Sequence, residues 1–198
     1  MIGKRELLAQ LVVRSGLVGA VGKVHSLRHR DVKVLAYHRV LPRADEGSFP
    51  YDLELVSAWQ DEFDWQMGYV AQRYEVITCR ELARFEDTGK WPDKPCALVT
   101  FDDGYLDNHD VALPILRKHG IPAVIFVATG YMGASETFWY DKLAFDVLHA
   151  HRSALALSTG GQEIALGEGQ AARRQATIQL QRHLKKVSNP ERLETLAR

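Results

Sequence analysis

The chain has too few cysteines to be stapled by disulfides: Cys79 and Cys96 are the two among 198 residues. A small bridge-dependent secreted scaffold is therefore excluded. No charge of one sign prevails, because 25 Lys and Arg meet 25 Asp and Glu for a formal net charge of +0. Such a balance gives no push toward nucleic acid or an anionic membrane. No uninterrupted apolar run has the length of a membrane span. Internal repeats and low-complexity tracts are lacking, and Gly160-Gly161 does not have the spacing of a phosphate-binding loop. What is present is an ordinary hydrophobic share of 46%, enough for a real core in one domain.

The N-terminal stretch is apolar on one side. Leu7 to Val18 follows Lys4 and Arg5, but Gln10, Arg14 and Ser15 interrupt it. That pattern makes a poor signal-peptide core and is too short and polar to cross a bilayer. Residues 1–30 are expected to form an amphipathic helical arm, and the lack of a clear signal peptide gives a cytoplasmic expectation. Residues 31–150 are expected to form an α/β core, and residues 151–198 a hairpin and helical segment.

Alternating elements fill the core region. Val32 to Tyr37 reads as a buried strand. Ser57 with Gln60 has the spacing of a helix-starting cap, followed by Phe63, Met67 and Val70 on one face. Glu75 to Ile77 reads as a strand, and Thr78 with Glu81 as the cap of another helix. Cys96 to Phe101 is a third strand, in which Cys96 reads as a small core residue. Asn108 can cap the next helix, Gly120 suits its end, and Pro114 either kinks it or starts its regular part. Pro122 to Ala128 is a fourth strand, and a helix resumes over Phe138 to His149. Beyond that, Leu155 to Leu166 reads as a hairpin. Ala172, Ala176, Leu180 and Leu184 recur at helical spacing, and Asn189-Pro190 starts a last helix.

The most informative run is Val99-Thr100-Phe101-Asp102-Asp103-Gly104-Tyr105. It sets two adjacent carboxylates where an apolar strand meets a glycine turn. Strand ends on α/β scaffolds are where such folds put their chemistry. Two carboxylates in one cleft repel, which drives their pKa values apart or recruits a cation. A division of labour open to the pair has Asp103 on a metal and Asp102 as general base. A solvated Asp-Asp-Gly turn is the plain alternative. His38, Tyr105 and Asn108 are further candidates to line the site, His38 because it ends the first strand. Trp139 and Tyr140 could stack on sugar faces, though packing is the commoner role of such aromatics.

The flanks carry a family resemblance. Thr100-Phe101-Asp102-Asp103-Gly104-Tyr105 with Asp107-Asn108 resembles the first motif of the polysaccharide deacetylases, whose catalytic unit is called the NodB homology domain. Leu35-Ala36-Tyr37-His38-Arg39-Val40 resembles that family's first strand, and Ala112-Leu113-Pro114 through Val127 a later helix and strand. Phe138-Trp139-Tyr140-Asp141-Lys142-Leu143 is similar to a segment of members linked to exopolysaccharide export. The resemblance implies a distorted β/α barrel that hydrolyses N-acetyl groups on a sugar polymer with a divalent metal, zinc by analogy. It implies Asp102 as the base, Asp103 as one metal ligand and an N-acetylated polysaccharide or oligosaccharide as the partner.

Two features depart from the family. Its second motif, a His-Ser/Thr-x-x-His pair that completes the metal site, is missing downstream: His109, His119, His149, His151 and His183 form no pair four apart. The letters recur in His25-Ser26-Leu27-Arg28-His29, but before the first strand and among Lys23, Arg28 and Arg30, a poor setting for a dication. In addition, four barrel-type strands are fewer than the roughly eight a closed barrel needs. An incomplete barrel with an open, self-associating sheet edge is expected. An inactive carbohydrate-binding or structural module of the same fold is the competing class. A magnesium-dependent phosphoryl-transfer site ranks behind both for want of a phosphate loop.

Overall fold

The computed structural model describes residues 31–45, 48–133, 136–157 and 163–197. The expected N-terminal arm, the His25/His29 motif and Gly160-Gly161 lie outside them. In chain order the elements are β1 (Val32–Tyr37), β2 (Arg39–Leu41), β3 (Val56–Trp59), α1 (Gln60–Arg73), β4 (Glu75–Val76), α2 (Cys79–Thr88), β5 (Cys96–Asp103), α3 (Leu113–His119), β6 (Ala123–Val127), α4 (Trp139–His149), β7 (Ala154–Ala156), β8 (Glu163–Ala165), α5 (Gly169–Leu184) and α6 (Asn189–Leu196). The chain is α/β.

Strand β5 is the centre of a four-stranded parallel sheet. It lies beside β1 from Val32↔Cys96 to Tyr37↔Phe101. Strand β4 pairs with its first residues, and β6 with its end, from Val99↔Ala123 to Asp103↔Val127. Its residues from Cys96 to Phe101 are all buried, as the continuous apolar run of a parallel strand requires. Strand β1 differs from expectation. Only Tyr37 of its residues is buried and Val34 is 59% exposed, because among the described residues β1 pairs with β5 alone.

Local capping explains where the helices start. Thr78 Oγ1 accepts the Glu81 N–H at 3.2 Å and Glu81 accepts the Thr78 N–H at 2.8 Å, the reciprocal cap read from sequence. Ser57 does not cap α1. It sits in β3, where its Oγ accepts the His38 N–H at 2.8 Å. Glu62 instead accepts the Trp59 N–H at 3.2 Å, and β3 pairs with β2 in a short parallel ladder not foreseen from sequence. Asn108 does not cap either. It opens a π-helical turn over Asn108–Ala112, after which α3 runs regularly with Pro114 in its first turn and ends on Gly120 at φ 64°. Pro114 follows the π-turn and cannot donate to its carbonyls, whereas the Leu113 N–H before it still bonds the Asn108 carbonyl.

Two main cores result. Phe63, Met67 and Val70 of α1 and Ile115 and Leu116 of α3 pack on Tyr37, Val99 and Phe101 of the sheet. A second core joins Leu143 and Val147 of α4, Leu157 and Leu166 beside the antiparallel β7–β8 hairpin, and Ala176, Leu180 and Leu184 of α5. Cys96 is buried with Ile77 and Phe85 in a smaller cluster, and both cysteines are free thiols. The last helix is capped by Ser188, one residue before the asparagine expected to do it. Among the described residues no helix is long and apolar enough to cross a membrane.

Candidate active site at the end of the central strand

Strand β5 continues past Phe101 and carries both acids at its carboxyl end. Asp103 has φ 71°, the left-handed region that non-glycine residues rarely adopt, and Gly104 follows at φ 77°. The Gly104 N–H closes the turn onto the Asp102 carbonyl at 2.9 Å. A side chain at Gly104 would meet Val127 Cγ1 at 3.2 Å, so position 104 has both a space and a backbone reason to be glycine. Two consecutive left-handed residues take the acids out of simple strand alternation.

The two carboxylates have separate partners. Asp102 has His38 Nε2 at 4.0 Å from its Oδ2, with both side chains about two-fifths exposed. By register it lies beside Phe126. Asp103 Oδ2 accepts the Tyr140 hydroxyl at 2.8 Å. Asp103 and Tyr105 line one cavity of about 610 Å³ with Arg39, Tyr131, Phe138 and Asp141. Asp102 and His38 are not among the residues lining it. Asn108 is buried, and its Nδ2 donates to the His38 carbonyl at 2.8 Å. It thus supports the backbone of His38 and its amide is committed there.

A buried frame stands behind the acids. Asp107 accepts Arg39 Nε at 2.9 Å, Arg39 Nη2 at 2.8 Å and the Val40 N–H at 3.0 Å. The Arg39 guanidinium lies 4.3 Å from the centre of the Tyr105 ring. Tyr105 donates to Asp141 Oδ2 at 2.8 Å. Burial raises the Asp141 pKa. Its bond to Tyr105 and the nearby Arg39 pull the other way, and the Asp103 and Asp52 carboxylates add to the rise. Burial likewise pushes the hydroxyls of Tyr105 and Tyr140 up.

Sequence reasoning did not single out Asp141 and left Tyr140 among the packing aromatics. The one available signal was the Phe138-Trp139-Tyr140-Asp141 segment itself, whose distance along the chain hid its contact with Asp103. A catalytic zinc usually takes three protein ligands. Among the described residues no group of three or more His, Cys, Asp or Glu could hold a metal ion. The described residues therefore do not complete such a site.

The fold and site define a parallel α/β domain with an acidic pair at the carboxyl end of its central strand. Residues 89–164 match the polysaccharide deacetylase family. The chain is 39% identical over 67 residues to the Bacillus subtilis protein YxkH, which carries the name of a polysaccharide deacetylase, covering 33% of this chain and 24% of that one. It is 29% identical over 127 residues to the poly-beta-1,6-N-acetyl-D-glucosamine N-deacetylase of Staphylococcus aureus, covering 60% of this chain and 43% of that one. The Streptococcus pyogenes deacetylase PplD, solved with acetate, superposes with a TM-score of 0.45 at 26% identity, over 58% of this chain and 51% of that one. Over these stretches the chain is similar to polysaccharide deacetylases, and it spans less than half the length of these two curated relatives.

Proposed function

We propose that the protein is a polysaccharide deacetylase that hydrolyses N-acetyl groups on a hexosamine polymer. The observation that carries this reading is the Asp102-Asp103 pair at the end of β5, inside the matched stretch. A β-1,6-linked N-acetylglucosamine polymer is the first substrate to test, by analogy with the Staphylococcus aureus relative. In this reading Asp102 is the general base that takes the proton of the attacking water, and Asp103 is a metal ligand. Its half-exposed position lets Asp102 reach solvent, and His38 beside it can stabilise the charge. Tyr105 lines the substrate cavity. A divalent ion, zinc by analogy, would polarise the acetyl carbonyl, with its remaining ligands supplied from outside the described residues.

The same reading makes the four-stranded sheet part of a distorted β/α barrel, divided as an arm over 1–30, a deacetylase core over 31–150 and a hairpin-helix segment over 151–198. Exposed, apolar β6 supports it, since a barrel wall there would have another neighbour. Where no such neighbour pairs with it, that edge would associate with a second chain.

The test is zinc content by elemental analysis together with turnover on N-acetylglucosamine oligomers, in the full protein. Asp103→Ala is expected to lose the metal. Asp102→Asn is expected to keep it and lose turnover about 10²–10⁴-fold, the usual worth of a general base. A His25→Ala/His29→Ala double mutant is expected to leave both unchanged. Unaltered metal affinity in Asp103→Ala would overturn the assignment.

A further inference from the structure

Trp139 and Tyr140 are the rings that the sequence offers for stacking on a sugar, and the structure commits both to packing. Trp139 lies against the second core, with the Arg192 guanidinium 4.9 Å from its ring centre. Tyr140 stacks on Phe138 with planes 4° from parallel and donates its hydroxyl to Asp103. An open ring lies elsewhere on the cavity that Asp103 lines. Of the four rings on that cavity, Tyr51, Tyr105 and Phe138 are half-buried and Tyr131 is 37% exposed. We propose that Tyr131 is a specificity residue: its open face is the platform on which one pyranose ring of the hexosamine polymer stacks, in the cavity beside Asp103. The choice of polymer rests on the deacetylase reading.

The neighbours of the other three rings explain why Tyr131 stands apart. The Arg39 guanidinium lies 4.3 Å from the centre of the Tyr105 ring, and Phe138 lies 5.2 Å from the same ring. Tyr51 has Phe49, Phe145 and Arg39 around it. Phe138 is held by Tyr105, Tyr131 and Tyr140. Among the described residues Tyr131 meets a single ring, Phe138, with centroids 4.3 Å apart. That contact braces the ring without covering it. The backbone ties it to the acids: the Tyr131 N–H bonds the Ala128 carbonyl at 2.9 Å, and the Ala128 N–H bonds the Asp103 carbonyl at 3.3 Å. A platform fixed to the strand end holds its ligand in one place relative to that end.

The cavity has the chemistry of a pyranose in mirror form. A pyranose presents apolar C–H faces and an edge of hydroxyls. The lining joins exposed apolar side chains, Leu106, Val127 and Met132, to the polar groups of Arg39 and Asp103. Aromatic walls with a few placed polar groups are the usual make-up of a small-ligand site, and about 610 Å³ lies within the roughly 300–1,000 Å³ of such sites. A lipid surface would fit the apolar rim alone. It would set the Asp103 and Glu136 carboxylates, both on the lining, against hydrocarbon. Sugar hydroxyls and amide N–H groups instead donate to carboxylates.

The test has a binding arm, which needs no turnover, and a kinetic arm. Binding of β-1,6-linked N-acetylglucosamine oligomers to the full protein is measured by NMR titration. Tyr131→Leu keeps an apolar side chain against Phe138 and removes the flat ring. It is expected to weaken binding about 5–10-fold, the scale of one aromatic stacking contact. Tyr131→Phe and Tyr131→Trp, which keep a flat ring, should bind within about two-fold of wild type, a rescue that a packing role alone would not produce. In the kinetic arm Tyr131→Leu should raise KM by the same factor at nearly constant kcat, the mark of lost uniform binding. Oligomer binding by Tyr131→Leu as tight as that of wild type would overturn the inference and leave the deacetylase reading standing. Binding without turnover in wild type would sink that reading, and the binding arm alone would then decide this inference. A wild type that binds phosphatidylglycerol vesicles through this rim and no oligomer would assign the rim to a membrane surface and overturn the platform.

Discussion

The sheet core and the helix-hairpin core are built on opposite terms. The sheet core joins segments far apart in sequence, since β1 and β5 lie on either side of two helices. Its centre is dry, with Val99 and Phe101 essentially inaccessible, but its flanks are open: Val34 is 59% exposed and Phe126 56%. The second core closes within a short run of chain, where α4, the hairpin, α5 and α6 bury Leu166, Leu180 and Leu184 almost completely. A local pattern can satisfy itself, whereas a parallel sheet depends on neighbours that arrive from elsewhere. Helix α4 joins the second core to the end of β5. It places Leu143 and Val147 in the second core, and its first turn carries Tyr140 to the acids of β5.

The sharpest way to break this contrast is to empty each core in turn. Phe63 and Leu180 are both 0% exposed. Phe63→Ala is expected to cost about 3–5 kcal/mol and Leu180→Ala about 2–5 kcal/mol, from lost transfer energy and the cavity left behind. Hydrogen exchange read by mass spectrometry separates the regions. Phe63→Ala should deprotect β5 and α1 first, and Leu180→Ala should deprotect α4 and α5 first. Equal deprotection of β5 by both would show one cooperative unit and dissolve the distinction.

The same contrast explains what was legible in the sequence. The Thr78–Glu81 cap, the end of α3 at Gly120, the apolar run of β5 and the hairpin all rest on residues a few positions apart, and each is where spacing put it. The acid pair was legible because strand, turn and family pattern coincide within seven residues. Ser57 misled because a serine three residues ahead of a polar side chain fits a cap whether or not a helix begins there. Its true partner, the His38 amide, is fixed by the β2–β3 ladder. The Tyr140–Asp103 and Tyr105–Asp141 bonds join residues more than thirty positions apart, and no local period encodes them.

A milder test addresses the seam between the cores. The Asp141 carboxyl is raised above its ordinary value by burial. The folded state then holds a proton that the unfolded chain releases. Stability from this group is full below the unfolded value of about 3.9 and falls as pH rises toward the folded one. Removing the group should remove that slope, which is at most about 1.4 kcal/mol per pH unit. The thermal midpoint of Asp141→Asn relative to wild type should therefore improve as pH rises through this window. A constant difference across it would mean that Asp141 ionises in the folded protein as readily as in the unfolded one.

The smallest expected change in stability comes with a visible change in association. Ile125, Phe126 and Val127 are apolar and 46%, 56% and 46% exposed, and among the described residues β6 pairs with β5 alone. A flat apolar edge of this kind recruits another strand. Charged side chains, lysine above all, are how natural sheets block such pairing. The 198-residue chain is expected to form dimers or larger species in multi-angle light scattering. Phe126→Lys should shift it to monomer while moving folding stability by no more than about 0.5 kcal/mol, as for other surface sites. Phe126 lies beside Asp102 in the register, so the added cation can meet that carboxylate. A wild-type chain that is already monodisperse and monomeric would mean the edge is covered, and the sheet core would then be as closed as the helical one.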